Sequence, residues 1–338
     1  MKRLPFAALL LWLAGCGSVM DGFDFDKPHP DCPHNDGSNE ALQVRYLGTG
    51  GVYLEWKNEG MLIGPFFSNP GMLRTYFWGN IRPNERLIRD GLKDVKNVRA
   101  IFVGHSHYDH LGDLPTVASR YPNAEIYVNE SGVKVLPRSL GATPYEKGDP
   151  IPVGNAFTVT AVKSDHAPQL CRWRHFPCTF AWKPLDHELK GKWTDHNWRD
   201  LRLGNPHAFI IDLKGTNFRI YYNDSAVRPE VVANLPDQPV DLAIITVASF
   251  DKVKDYPAVL LQRIKPRHVL LSHYENFFRE YDGHFRFAPL LTDRKAKTFT
   301  DSVSITDGHP PENEATFCGA RGRGWSAPVP GQALYFKP

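Results

Sequence analysis

The chain has 338 residues, with 40 lysines and arginines against 37 aspartates and glutamates. That length supports one large core without requiring a second domain. The near-neutral charge argues against a general nucleic-acid binder, so no nucleic-acid partner is expected.

Lys2 and Arg3 give a short basic start, Phe6 to Leu13 an apolar stretch, and Ala14-Gly15 a small-residue exit. Residues 1–15 therefore read as a secretory signal peptide, too short to span a bilayer. Leu13-Ala14-Gly15-Cys16 resembles a bacterial lipobox. The resemblance implies an exported protein, lipidated on Cys16 and anchored to a membrane through it. Gly17 at the next position favours the periplasmic face of the outer membrane. An ordinary cleaved leader followed by a chance cysteine is the competing reading. Residues 16–40 are rich in Asp, Pro, Gly, His and Ser and read as a flexible tether. His29 and His34 lie within it as solvated residues.

Residues 41–338 form the expected globular part. Gln43 to Leu47, Gly51 to Trp56 and Met61 to Phe66 read as strands parted by glycine turns. Val98 to Val103, Ala124 to Val128 and Phe157 to Val162 follow. His207 to Leu213 and Phe218 to Tyr222 flank a hairpin turn at Lys214-Gly215-Thr216-Asn217. Asp241 to Val247 and His268 to Leu271 are two more apolar strands. Helices fit Leu114 to Arg120, Pro229 to Asn234 and Tyr256 to Ile264. Such an order points to two packed sheets with helices outside.

His105-Ser106-His107-Tyr108-Asp109-His110 follows the strand ending at Val103. Imidazole and carboxylate are ligands for zinc and similar ions. Period-two alternation puts His105 and His107 on one side, while Asp109 and His110 lie beyond the strand. That spacing suits two ions better than one. The same rule, a polar residue at the end of an apolar strand, selects His166, Asp224 and His273.

These residues resemble the metallo-β-lactamase superfamily, and the match runs from Gln43 to Asn276. The resemblance implies an α/β fold, an αββα sandwich of two mixed sheets with outer helices. It implies that His105, His107 and His166 hold one ion, that Asp109, His110 and His273 hold the other, and that Asp224 bridges them. Asp109 with His110 and Asp224 is similar to the dinuclear hydrolases rather than to the true β-lactamases. His-Tyr-Asp-His-Leu and Leu271-Ser272-His273-Tyr274 resemble the branch of N-acylphosphatidylethanolamine-hydrolysing phospholipase D and bacterial sugar-phosphate lactonases. Two departures stand out: Gly64-Pro65 replaces an Asp-Pro pair, and the turn Gly48-Thr49-Gly50-Gly51 lacks a histidine.

The function that follows is a dinuclear metal-dependent hydrolase in which Asp109 and Asp224 are the catalytic carboxylates. Two divalent metal ions, zinc first and manganese or iron as alternatives, would share a water and lower its pKa towards ~7. The expected substrate is a small molecule or lipid, a phospholipid-like phosphodiester above all. A lactonase or other ester hydrolase of the same fold is one alternative, and a non-catalytic metal-binding envelope lipoprotein another. Asp113 and Ser164 are candidates for orienting the imidazoles. Tyr108 and Tyr274 border the ligands and, with Trp173, are candidate substrate contacts or else packing aromatics.

Residues 167–206 read as an aromatic and basic insertion. It is either a lid beside His166 or a surface excursion with its own small core. His175, His187 and His196 within it are weak candidates for reaching the site. Apart from Cys16 there are four cysteines. Cys171 with Cys178 and Cys32 with Cys318 are candidate disulfides, against free buried cysteines as the alternative.

Overall fold

The computed structural model describes residues 41–71, 74–75, 79–145, 148–168, 188–279, 286–288, 291–304, 317–318 and 324–338. The expected leader and tether, Cys16, Cys32, Cys171, Trp173, His175, Cys178 and His187 lie outside them, and no side chain is described for Cys318.

The strands in chain order begin with β1 (Leu42–Gly48), β2 (Gly51–Trp56), β3 (Glu59–Ile63), β4 (Val98–Phe102) and β5 (Glu125–Val128). Next come β6 (Thr143–Pro144), β7 (Ile151–Val153), β8 (Phe157–Lys163), β9 (His207–Leu213) and β10 (Arg219–Asn223). The last are β11 (Leu242–Thr246), β12 (His268–Ser272), β13 (Phe317–Cys318), β14 (Trp325–Ser326) and β15 (Ala333–Phe336). Among the described residues they form an eight-stranded sheet in the order β13-β15-β1-β2-β3-β4-β5-β6 and a seven-stranded sheet in the order β14-β12-β11-β10-β9-β8-β7.

Alternation sorts the side chains into layers. Val52, Leu54, Met61, Ile63, Ala100 and Phe102 face the second sheet and share one core with Phe209, Ile211, Tyr222 and Ile244. Tyr53, Leu62, Ile101 and Val103 point the other way, onto Ile88, Leu111, Leu114 and Val117. Phe102 meets Phe209 edge-on at 5.4 Å across the seam between sheets. On the far side of the second sheet, Leu260, Leu261 and Ile264 of the helix Ala258–Ile264 join the core with Phe299 and Val303 of Asp293–Ser304. Each sheet thus buries one face on the other sheet and one on helices, which is an αββα sandwich.

The expected strands appear with their ends moved by up to three residues. The short strands β6, β7, β13, β14 and β15 and the helices Glu85–Gly91, Glu130–Val135 and Asp293–Ser304 were not anticipated. Residues beyond Asn276, which carry no pattern a sequence reading could use, supply partners for both sheets: β15 pairs with β1, and β14 with β12.

Strand direction places the site. β10, β11 and β12 run parallel, and β8 runs the same way because it reaches β10 through two antiparallel pairings. Their carboxyl ends share one edge, where open α/β sheets put ligands. His166, Asp224 and His273 follow β8, β10 and β12, while the first sheet delivers His105 just after β4.

Candidate metal centre

Gly104 lets the chain leave β4 at the crowded point between the sheets. A Cβ there would lie 2.8 Å from Asp224 Oδ2 and 3.0 Å from the His207 carbonyl oxygen. Gly104→Ala must therefore displace Asp224. We expect metal retention at least about tenfold weaker with the circular-dichroism spectrum unchanged; metal analysis beside that spectrum is the check.

His107 caps a single helical turn, Tyr108–Leu111, so Asp109 and His110 project from a helix rather than from an irregular loop. Three overlapping groups result: His105, His107 and His166; His105, His110 and Asp224; Asp109, His110 and His273. In each, the candidate ligand atoms lie within 4.8 Å of one another. The structure thus brings together all seven residues selected from strand ends and from the cluster.

Burial sets the charge state. His105 and His107 are pushed well below the ordinary imidazole value by burial and then by His166, and burial takes His110 down to about 3. His166 is lowered by burial as well. Neutral imidazole is the ligating form. His105 Nδ1 lies 3.0 Å from Asp224 Oδ1, and between a neutral ring and a carboxylate this is an N–H···O hydrogen bond rather than an ion pair. His166 Nδ1 donates to the Ala167 carbonyl at 2.7 Å, which leaves the ring lone pair on Nε2.

Asp109 responds differently from Asp224. Burial works to raise Asp109, but His110, His273 and His107 outweigh it and hold the carboxyl well below the usual range. For Asp224, burial wins over His110, His273 and His166 and raises it. A buried carboxylate whose charge is costly is one that a cation would relieve.

The donor set passes a direct test for a cation. His105 Nε2, both ring nitrogens of His110, His273 Nδ1 and Asp224 Oδ2 are buried without a hydrogen-bond partner. Buried polar atoms are ordinarily satisfied, and leaving them unmet costs stability. The residues that carry them fall within the three overlapping groups, and neutral imidazoles with acceptor-only carboxylates fit divalent ions.

The sequence profile of the β-lactamase superfamily domain matches residues 61–183, which include His105 to His110 and His166. Over residues 61–183 the chain resembles a β-lactamase superfamily domain. It is 24% identical over 250 residues to a UPF0173 metal-dependent hydrolase of Pyrobaculum islandicum, covering 70% of this chain and 85% of that one. A UPF0173 metal-dependent hydrolase of Polynucleobacter asymbioticus is 26% identical over 198 residues, 56% of this chain; the chain spans 62% of that relative's length. Two solved structures share the fold. Igni18, a metallo hydrolase from Ignicoccus hospitalis, superposes with a TM-score of 0.54 at 15% identity, covering 88% of this chain and 99% of that one. A possible metal-dependent hydrolase from Veillonella parvula gives 0.51 at 14% identity, covering 86% and 98%.

Several expectations about the surroundings of this site are corrected. Asp113 orients no imidazole. Its Oδ2 accepts from the backbone N–H of Phe67 (2.7 Å) and Ser68 (2.9 Å), and Oδ1 accepts from the Ser68 hydroxyl (2.5 Å). It ties the loop after β3 to the helix Leu114–Ala118, and burial raises it to about 6. Asp113→Ala should cost about 2 kcal/mol of stability, read as a lower urea midpoint with metal content unchanged. Ser164 accepts from Asn223 Nδ2 at 2.9 Å, so it braces the strand leading to Asp224 instead of a histidine ring.

Tyr108 and Tyr274 are buried and packed against other side chains. The Tyr108 ring lies among Phe66, Trp198, Phe277 and Phe278, with centroids 5.9–6.4 Å away. Tyr274 is 1% exposed and donates to the Pro328 carbonyl. In the described part of the 167–206 segment the two tryptophans turn inward. Trp193 and Trp198 are buried in the outer core, and Trp193 Nε1 donates to the Gly112 carbonyl at 3.3 Å. His196 joins no candidate metal group among the described residues. This half buttresses the helical turn that carries Asp109 and His110.

Sequence reasoning missed Gly104, Asn129 and Glu275. Asn129 Oδ1 accepts from the Ser106 hydroxyl and from Gly132 N at 2.7 Å, while its Nδ2 donates to the carbonyls of Leu203 and Asn205 at 3.3 Å. It therefore fastens the loop between His105 and His107 to residues 203–205. Its one readable signal was Asn129-Glu130 opening a helix after β5.

Proposed function

We propose that this metal-dependent hydrolase of the metallo-β-lactamase fold works with two divalent ions, zinc in the first place. The observation that carries the reading is the overlap of the three His/Asp groups: His105 and His110 each belong to two of them, which is more donor capacity than one ion uses. His105, His107 and His166 would hold one ion, Asp109, His110 and His273 the other, with Asp224 between. The ions would supply a water of lowered pKa as nucleophile and positive charge for the transition state.

The chain's own groups do the rest. Asp109, ionised and 3.5 Å from His273 Nε2 and 3.7 Å from His110 Nε2, keeps both rings turned to its side. The His105 N–H bond to Asp224 keeps the carboxylate from rotating away. Buried walls of Phe66, Tyr108 and Trp198 exclude water from behind the ligand helix.

The substrate in this reading is an anionic amphiphile, a phospholipid-like phosphodiester. Half-buried Phe277 stands 4.8 Å from the His273 ring and offers an apolar contact, while Arg228, mostly exposed and paired with Asp165 next to His166, offers a cation. The proposal includes export and anchoring through Cys16, supported by the lipobox-like Leu13-Ala14-Gly15-Cys16 and tested by release of a Cys16→Ser variant from membranes. The catalytic reading is tested by metal content together with hydrolysis of bis(p-nitrophenyl) phosphate and of phospholipid micelles. Two ions per chain and diester cleavage are expected. Cleavage of lactones or carboxylic esters alone would transfer the assignment to the lactonase reading. A full metal complement with no turnover on any of these would sink the enzyme.

A further inference from the structure

The two halves of the centre hang from different sheets, and two buried tyrosines cross the seam between them in opposite directions. Tyr222 of β10, in the second sheet, donates to the Gly50 carbonyl of the first at 2.9 Å. Tyr46 of β1, in the first sheet, accepts from the backbone N–H of His273 at 2.8 Å and from Gly50 N at 3.5 Å. It donates in turn to Glu275 Oε2 at 2.7 Å. A phenol has one hydrogen and two lone pairs, so the Tyr46 hydroxyl is fully committed, and every partner borders the site.

His273 needs such a hold. Its φ is +54°, the left-handed region that side-chain-bearing residues seldom adopt. Its carbonyl accepts from Ala248 N at 3.1 Å, so Tyr46 on one side and Ala248 on the other pin the peptide units around that Cα. Gly50, also left-handed at φ +78°, has the space of its absent Cβ bounded by Asp224, His273 and His110 at 3.4–3.6 Å. Moving the turn that Tyr46 and Tyr222 grip would therefore move into three candidate ligands.

We propose that Tyr46, oriented by Glu275, is a positioning residue for His273. Its hydroxyl fixes the strained backbone from which the imidazole reaches Asp109 and His110. With Tyr222 it sets the register between the ligands of one sheet and those of the other. The proposal rests on the two-ion reading. If Tyr46 only packed, its ring against Tyr274 at 5.7 Å would suffice and the hydroxyl would be dispensable.

The test uses the full-length protein loaded with zinc and dialysed against graded chelator. Wild type is expected to release two ions. Tyr46→Phe should lose one of them at about 10–100-fold weaker chelation and keep the other as wild type does. Tyr53→Phe removes a buried hydroxyl bonded elsewhere, to the Lys96 carbonyl at 2.8 Å, and should release both ions as wild type does. Glu275→Gln retains an acceptor for Tyr46 and should behave as wild type. Glu275→Ala should follow Tyr46→Phe, and it decides the matter should Tyr46→Phe not fold. Unchanged release of both ions in Tyr46→Phe and Glu275→Ala would overturn the proposal. A wild type that never holds two ions would refute the two-ion reading instead. The His273 amide then decides the positioning role: faster hydrogen exchange in Tyr46→Phe than in Tyr53→Phe supports it, and equal protection removes it.

Discussion

Asp224→Asn should reduce hydrolysis by about 10²–10³-fold, the scale on which one electrostatic stabiliser in an enclosed site acts, while the fold persists. The residue is 2% exposed and stands between the sheets, so the substitution must keep its volume. Asparagine does so, and its Oδ1 can still accept from His105 Nδ1, the bond of 3.0 Å. What changes is the other oxygen. Asp224 Oδ2 has no hydrogen-bond partner and is free to meet a cation. An amide NH₂ in that place presents two donors and no lone pair. Turnover and zinc content should fall together, with thermal unfolding little altered once both proteins are stripped of metal. Full activity in Asp224→Asn would remove this carboxylate from the machinery.

Metal removal should produce the largest change in stability. An ion present at a hundredfold excess over its Kd adds ~2.7 kcal/mol, so two add ~5 kcal/mol. At ~2–4 °C per kcal/mol for a domain approaching this size, chelation should lower Tm by roughly 10–20 °C, recoverable on adding zinc back. Acid should remove the ions late. Burial lowers His105, His107, His110 and His166, so these imidazoles remain unprotonated and able to ligate well below the ordinary value near ~6.5. Zinc content measured after equilibration at falling pH should therefore hold through pH 6 and drop only in stronger acid.

In the stripped protein the same depression is a stability term. It is complete above ~6.5 and is lost as pH falls towards the folded values, about 3 for His110, because the unfolded rings take up protons that the folded ones refuse. Asp113, Asp224 and Glu275 are raised by burial and act with the opposite sign, favouring the fold at low pH and losing that contribution as pH rises through their folded values. The two sets oppose each other, so metal content is the sharper observable.

The candidate site was largely legible in the sequence because its ligands obey a local rule. Each follows an apolar strand, and strands that run the same way end at the same edge. Asp224 after Asn223 and His273 after Ser272 could be named on that ground alone. What surrounds the ligands obeys no local rule. Whether Tyr108 and Tyr274 line a pocket or fill a core depends on Phe66, Trp198 and Pro328, all distant in sequence or set by long-range packing. Asp113 lies close to the ligands along the chain, yet its hydrogen bonds go to Phe67 and Ser68. Proximity in sequence is a poor guide wherever the chain turns into a helix, as it does at Tyr108. The strands β14 and β15 escaped notice because strands of two to four residues leave no periodicity to read.

The split of the ligands between two sheets bears on the order of assembly. His105 follows the fourth strand, and His273 follows the twelfth. Contacts so far apart in the chain form late, after loop closure has been overcome. An extended or half-folded chain therefore owns no complete site, and in the two-ion reading neither sheet alone could hold both ions. In the two-ion reading, ion capture would come last in folding, and the compartment in which the sheets close would decide which metal the protein receives.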